Sequence, residues 1–179
     1  MKHTIGMTVY DEPGVMAKIC GMFARRGFNI DTITVGTTQE PKVSKIIISL
    51  TADDKKIEQI EKQLNKMIDV IKVSELPSDV SVLRELCLVK IAASDQKSHD
   101  ELVKYANVYK NKIVDITPKA ITVEIVGEPL KINTFLELVK PFGIKDVSRT
   151  GVTGIPRESP SEKQFYNEKI KIFSSTRKS

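Results

Sequence analysis

The sequence predicts an α+β protein built from two successive βαββαβ units. Each is expected to fold as an antiparallel four-stranded sheet with both helices on one face. Three observations carry this prediction. Short β-branched runs with period-two alternation are separated by segments whose apolar residues recur at helical spacing. The order strand, helix, strand, strand, helix, strand can be traced once before and once after a polar break near residues 77–83. The chain has 179 residues, enough for two compact cores.

Residues 4–10 alternate, with Ile5, Met7 and Val9 on one face, as a half-buried strand does. Val15, Ile19 and Phe23, with Met16 and Cys20 beside them, form an apolar stripe at helical spacing, and Gly27 supplies a helix end. Residues 29–36 and 43–50 are β-branched runs flanking a polar loop with Pro41, and read as a hairpin. Asp53 and Asp54 stand where a helix can start, and Ile57, Ile60 and Leu64 share its face. Residues 68–76 form the fourth strand, and Pro77-Ser78-Asp79 marks the exit.

The second half repeats the order in secondary structure, although the residues barely match. Residues 85–92 form an apolar strand. Leu102, Val103, Ala106 and Tyr109 are spaced as on a helix over residues 98–109. Residues 113–117 and 121–126 flank Pro118-Lys119, a tight turn. Ile132, Phe135, Leu136 and Val139 form a second helical stripe that stops before Pro141 and Gly143, and residues 144–152 close the sheet. The boundaries expected are 1–78 for the first domain, 83–156 for the second and 157–179 for a weakly ordered tail. Within that tail residues 169–173 read either as a short edge strand or as part of a frayed end.

Residues 43–50 look apolar on both faces, with Ile46, Ile48 and Leu50 on one and Val43 and Ile47 on the other. One helix layer covers only one face. The other implies a partner surface, either the second unit or another chain, and we expect at least a homodimer.

Composition excludes several classes. Hydrophobic residues make up 40% and charged residues 28%, as in globular domains. The net charge of +5 is concentrated at the end: residues 1–76 and 77–155 each carry 11 Lys/Arg against 10 Asp/Glu, while residues 156–179 carry 6 against 3. Neither half has the balance of a phosphate-binding surface, though an uneven face can hide within a balanced half. Residues 43–47, where related βαββαβ domains stack bases, carry no aromatic ring. No nucleic-acid partner is expected. Cys20 and Cys87 lie in apolar periodic segments and read as buried, reduced thiols. His3 and His99 stand apart from metal-ligand spacings and read as surface residues. No cleavable leader, apolar span, nucleophile motif or dinucleotide fingerprint is visible, so the protein is expected to be cytoplasmic, without catalysis, metal or membrane contact of its own.

One stretch looks built for a ligand. A strand runs into Asp11-Glu12-Pro13-Gly14-Val15, a helix starts there, and Gly27-Phe28-Asn29-Ile30 follows it. Acidic residues, Pro and Gly are equally at home in an unliganded helix start. The functional reading is a clamp for a zwitterion. The N–H groups of Gly14, Val15 and Met16 would take an α-carboxylate, and Asp11 an α-ammonium. Gly14 would matter because a Cβ there blocks close backbone approach. Asn29 can donate to the one group and accept from the other. Met16 and Ile30 would line the side-chain pocket.

These residues resemble the small regulatory subunit of acetolactate synthase (acetohydroxyacid synthase). The resemblance is carried by DEPGV at 11–15, FARRGFNI at 23–30, EQIEKQL at 58–64, VSEL at 73–76, RELCLVKI at 84–91, VDITP at 114–118 and SRTG at 148–151. It spans residues 3–155 and rests on their order and spacing together. It implies an N-terminal ACT domain, a C-terminal ferredoxin-like domain, and dimers through paired ACT domains with effector sites between chains. The implied effector is a branched-chain amino acid, chiefly valine, held by Asp11, Gly14, Val15, Met16, Asn29 and Ile30. The implied partner is the large catalytic subunit, which carries thiamine diphosphate, magnesium and FAD. The small subunit raises its activity and makes it sensitive to feedback inhibition. The family commonly has Asn where this chain has Asp11, which keeps the acceptor, loses the donor and adds a charge. The other readings are a free-standing ACT-type sensor acting on a partner such as a transcription regulator, and an RNA-binding module.

Overall fold

A computed structural model describes residues 1–157 of the chain. The expected tail of residues 157–179, with its edge strand at 169–173, lies outside the described residues save for Arg157. The chain divides into two compact units, the second comprising Leu83–Thr153.

The first unit contains β1 (Lys2–Tyr10), α1 (Val15–Arg25), β2 (Thr32–Thr37), β3 (Val43–Thr51), α2 (Asp54–Asn65) and β4 (Val70–Glu75). Its sheet has the order β2-β3-β1-β4. The pairings are antiparallel, with Ile5 opposite Ile48 and Met7 opposite Ile46. These side chains share the core with Val15, Ile19 and Phe23 of α1 and Ile57, Ile60 and Leu64 of α2. The helix stripes anticipated from the sequence are therefore the faces that α1 and α2 bury. Asp53 caps α2, its carboxylate accepting from the Lys56 N–H at 2.8 Å.

The second unit contains β5 (Ser81–Ala92), α3 (Gln96–Val108), β6 (Lys112–Thr117), β7 (Ala120–Gly127), α4 (Pro129–Val139), a single 3-10 turn (Lys140–Phe142) and β8 (Ile144–Arg149). Its main path is β6-β7-β5-β8, with a short β9 (Thr153–Pro156) pairing with β5. Cys87, Val89 and Ile91 meet Leu102, Ala106, Ile132, Phe135 and Val139 in a second core. Both units are thus antiparallel sheets with two helices, as predicted. Each also has a register shift near the end of its first strand, between Thr8 and Val9 and between Lys90 and Ile91.

Several expectations are corrected. Residues 29–31 are not strand: the Asp31 N–H is already engaged by the Ser49 carbonyl at 2.9 Å, but β2 begins only at Thr32. The closing strand does not run to residue 152. Gly151, at φ 83°, turns the chain between β8 and β9. On the outer face of β3 both expected apolar residues, Val43 and Ile47, are present and are buried within the chain. Thr4, Gly6 and Thr8 of β1 stand opposite Ser49, Ile47 and Lys45 of that face. Cys20 is only partly buried, whereas Cys87 is buried and its thiol pKa is pushed up by that burial. His3 is not a surface residue. Its ring lies between Glu75 (2.6 Å from Nδ1) and Asp54 (3.5 Å from Nε2), 11% exposed.

Candidate functional site

The site begins where β1 ends. Tyr10 donates its N–H to the Asp69 carbonyl (3.0 Å), and Asp11 donates to the Lys42 carbonyl (2.9 Å). The β2–β3 loop thus holds the backbone of Asp11, with Lys42 in the left-handed region at φ 61°. Glu12 donates back to Tyr10, and a tight turn delivers Gly14 as the residue preceding α1. Gly14 has φ 87° and ψ −10°, a conformation that disfavours any side chain. A Cβ built there meets nothing within 4 Å. The left-handed backbone is therefore what calls for glycine in this chain, and the space beside it is open.

No side chain caps α1, and its first turn holds no acidic residue. The Val15 N–H makes a long bond of 3.3 Å to the Glu12 carbonyl. The Met16 and Ala17 N–H groups have no hydrogen-bond partner among the described residues. Unpaired donors at the positive end of a helix dipole suit a small carboxylate. Val15 is buried against the core, while Met16 is partly buried and packs beside it. Asp11 and Gly14 are exposed.

Asn29 and Ile30 lie elsewhere. α1 ends in a left-handed turn at Gly27 (φ 68°), and the Phe28 N–H reaches back to the Phe23 carbonyl at 3.1 Å. The Phe28 ring meets Phe23 edge-on, with centroids 6.4 Å apart, and fixes the turn that presents Asn29. Asn29 is exposed and Ile30 partly buried. The 11 residues of α1 separate this turn from Gly14 by about 16 Å of helix rise. One chain therefore gathers Asp11, Gly14, Val15 and Met16 at one end of α1 and leaves Asn29 and Ile30 at the other. Sequence reasoning missed Lys42, whose carbonyl holds Asp11. The loop with Pro41 was visible, but its left-handed residue was not.

Among the described residues no cluster of His, Cys, Asp and Glu is arranged to hold a metal ion. No described helix is long and apolar enough to cross a membrane.

Comparison with known proteins agrees with this architecture. The family described as AHAS small subunit-like ACT domain matches residues 5–72, and the family described as small subunit of acetolactate synthase matches residues 84–158. The probable acetolactate synthase small subunit of Methanothermobacter thermautotrophicus is 46% identical over 157 residues, spanning 88% of this chain and 94% of its own. The acetolactate synthase small subunit of Mycolicibacterium smegmatis is 39% identical over 155 residues, spanning 87% and 91%. The crystal structure of the small subunit from Thermotoga maritima matches with a TM-score of 0.80 at 35% identity, over 89% of this chain and 99% of that one. With an ACT-type unit followed by its companion ferredoxin-like unit, the chain belongs to the acetolactate synthase small-subunit family.

Proposed function

We propose that this chain is the regulatory subunit of acetolactate synthase. It activates the catalytic large subunit and confers feedback inhibition by a branched-chain amino acid, valine first. It is cytoplasmic and non-catalytic, and the thiamine diphosphate, magnesium and FAD belong to its partner. Residues 1–78 bind the effector and dimerise, and residues 83–156 form the companion domain.

The observation that carries this reading is the open amino end of α1. Gly14 contributes no side chain, the Met16 and Ala17 N–H groups have no partner among the described residues, and a carboxylate has room to approach. Asp11 supplies the countercharge for an ammonium group. The second half of the clamp comes from a second copy. β2 is an edge strand of its sheet and exposes Val35. Antiparallel pairing of two β2 strands about a two-fold axis turns the second copy end for end. That brings its Asn29 and Ile30 toward the end that carries Asp11 and Gly14. Effector binding then shifts the population of a dimer state that docks differently on the catalytic subunit.

Calorimetry of the purified chain with valine, leucine and isoleucine, alongside its mass in solution, tests the reading. A dimer that binds one of the three is expected. Gly14→Asp places a negative charge where the carboxylate sits and should weaken binding roughly 10- to 100-fold. In the reconstituted enzyme it should abolish feedback while leaving association intact. A monomeric chain, or unchanged valine inhibition in the variant, would refute the site.

A further inference from the structure

A groove of about 700 Å³ lies on the helix layer of the first unit. It is bordered by Lys18, Arg25 and Arg26 from α1 and its C-terminal end, and by Lys66 from the end of α2. Met22 and Met67 line it as well, Met22 being buried and Met67 partly so. Three of its four cations stand without an acidic partner among the described residues. Lys56 and Lys62 of α2 are paired with Asp53 and Glu58. Arg25, Arg26 and Lys66 make no ion pair among the described residues. Lys18 is held by Asp69 at 2.7 Å. This is a local concentration of positive charge in a unit whose overall balance is close to neutral.

We infer that this groove is a docking surface for an acidic segment of the catalytic partner. The inference rests on the regulatory reading above and adds where the two subunits meet. Three cations without an ion pair among the described residues attract carboxylates and steer their approach. Thioether side chains adapt to the apolar residues of an incoming amphipathic segment. The groove is too large for a lone inorganic anion, and among its lining residues no aromatic ring offers a base a stacking surface.

The test uses the full chain and the purified catalytic subunit, with association measured over a series of salt concentrations. Arg25→Glu, Arg26→Glu and Lys66→Glu together should weaken association at least tenfold at low salt and flatten its salt dependence. The neutral counterpart, with Gln at all three positions, should fall between. All three residues are exposed, so both variants should remain folded by circular dichroism, with a small drop in melting temperature, larger for Glu than for Gln, from the loss of cations at the two helix ends. Association that survives charge reversal across the series would overturn the groove and leave the regulatory reading standing. Loss of RNA binding in the variant with partner affinity unchanged would assign the groove to nucleic acid and overturn the inference. No association of the wild-type chain at any salt would overturn the regulatory reading and the groove with it.

Discussion

The two units repeat one fold, yet they treat the start of their first helix in opposite ways. α3 is preceded by Asp95, whose carboxylate accepts from the Ser98 N–H at 2.9 Å and the Ser98 hydroxyl at 2.8 Å. α1 is preceded by Gly14, which has no side chain to offer. In the second unit the chain supplies its own anion to the helix dipole. In the first the place is left open. The helix ends differ too. Gly27 and Lys110 each take the left-handed position after their helix, at φ 68° and 53°, but only glycine does so without strain. Two residues further on the first unit presents Asn29 and the second Lys112. The same architecture therefore leaves the start of its first helix uncapped in one unit and closes it with the chain's own side chain in the other.

The largest expected effect lies in the second unit. Glu85 is 1% exposed and held by two 2.7 Å bonds from Arg149, which also donates to Asn133. Arg149→Leu strands a buried carboxylate and should cost about 3 kcal/mol, the lower end of the range for a broken buried pair because water reaches the arginine. Chemical denaturation should show the loss, and valine affinity should not change. If valine binding fell in step, the two units would not be energetically separate.

A smaller effect should appear at the helix ends. Gly27→Ala should destabilise by about 1 kcal/mol, whereas Lys110→Gly should stabilise by about 0.5–1 kcal/mol. Thermal melts of the two variants should therefore move in opposite directions.

The smallest effect is at the caps. Asp95→Ala should speed amide exchange in the first turn of α3 and leave α1 unchanged. The Ser98 N–H holds the Asp95 carboxyl below its usual range, aided by the Ser98 hydroxyl. Its contribution is therefore complete above the ordinary carboxylate range and is lost as acid protonates it. The start of α3 should loosen on acidification through that cap, a step that α1 lacks. Exchange measured at several pH values would show the contrast.

Much of this was legible in the sequence because it depends on periodicity. The stripes of α1, α2, α3 and α4, the Asp53 cap and the Gly27 stop are local patterns. What failed to show depends on pairing in space. The β-branched run from residue 29 continued into a turn that no period-two pattern could end. The break at Gly151 is a matter of φ, and glycine within an apolar run does not announce it. His3 looked solitary because Asp54 and Glu75 are more than 50 residues away along the chain. At the candidate site, Asp11 and Gly14 were correctly linked to a helix start. Asn29 lies beyond the far end of the helix that the sequence already placed between them, so what a single chain could not show is how a second copy would bring it to Gly14.

That length of helix has a thermodynamic meaning. On the proposed pairing, each copy owns two halves of different sites and completes neither alone. Occupancy then scales with protein concentration as well as with amino acid, and dilution alone would blunt the response. The effector would in turn act as a glue for the pair, tightening self-association by the same factor by which assembly tightens its own grip.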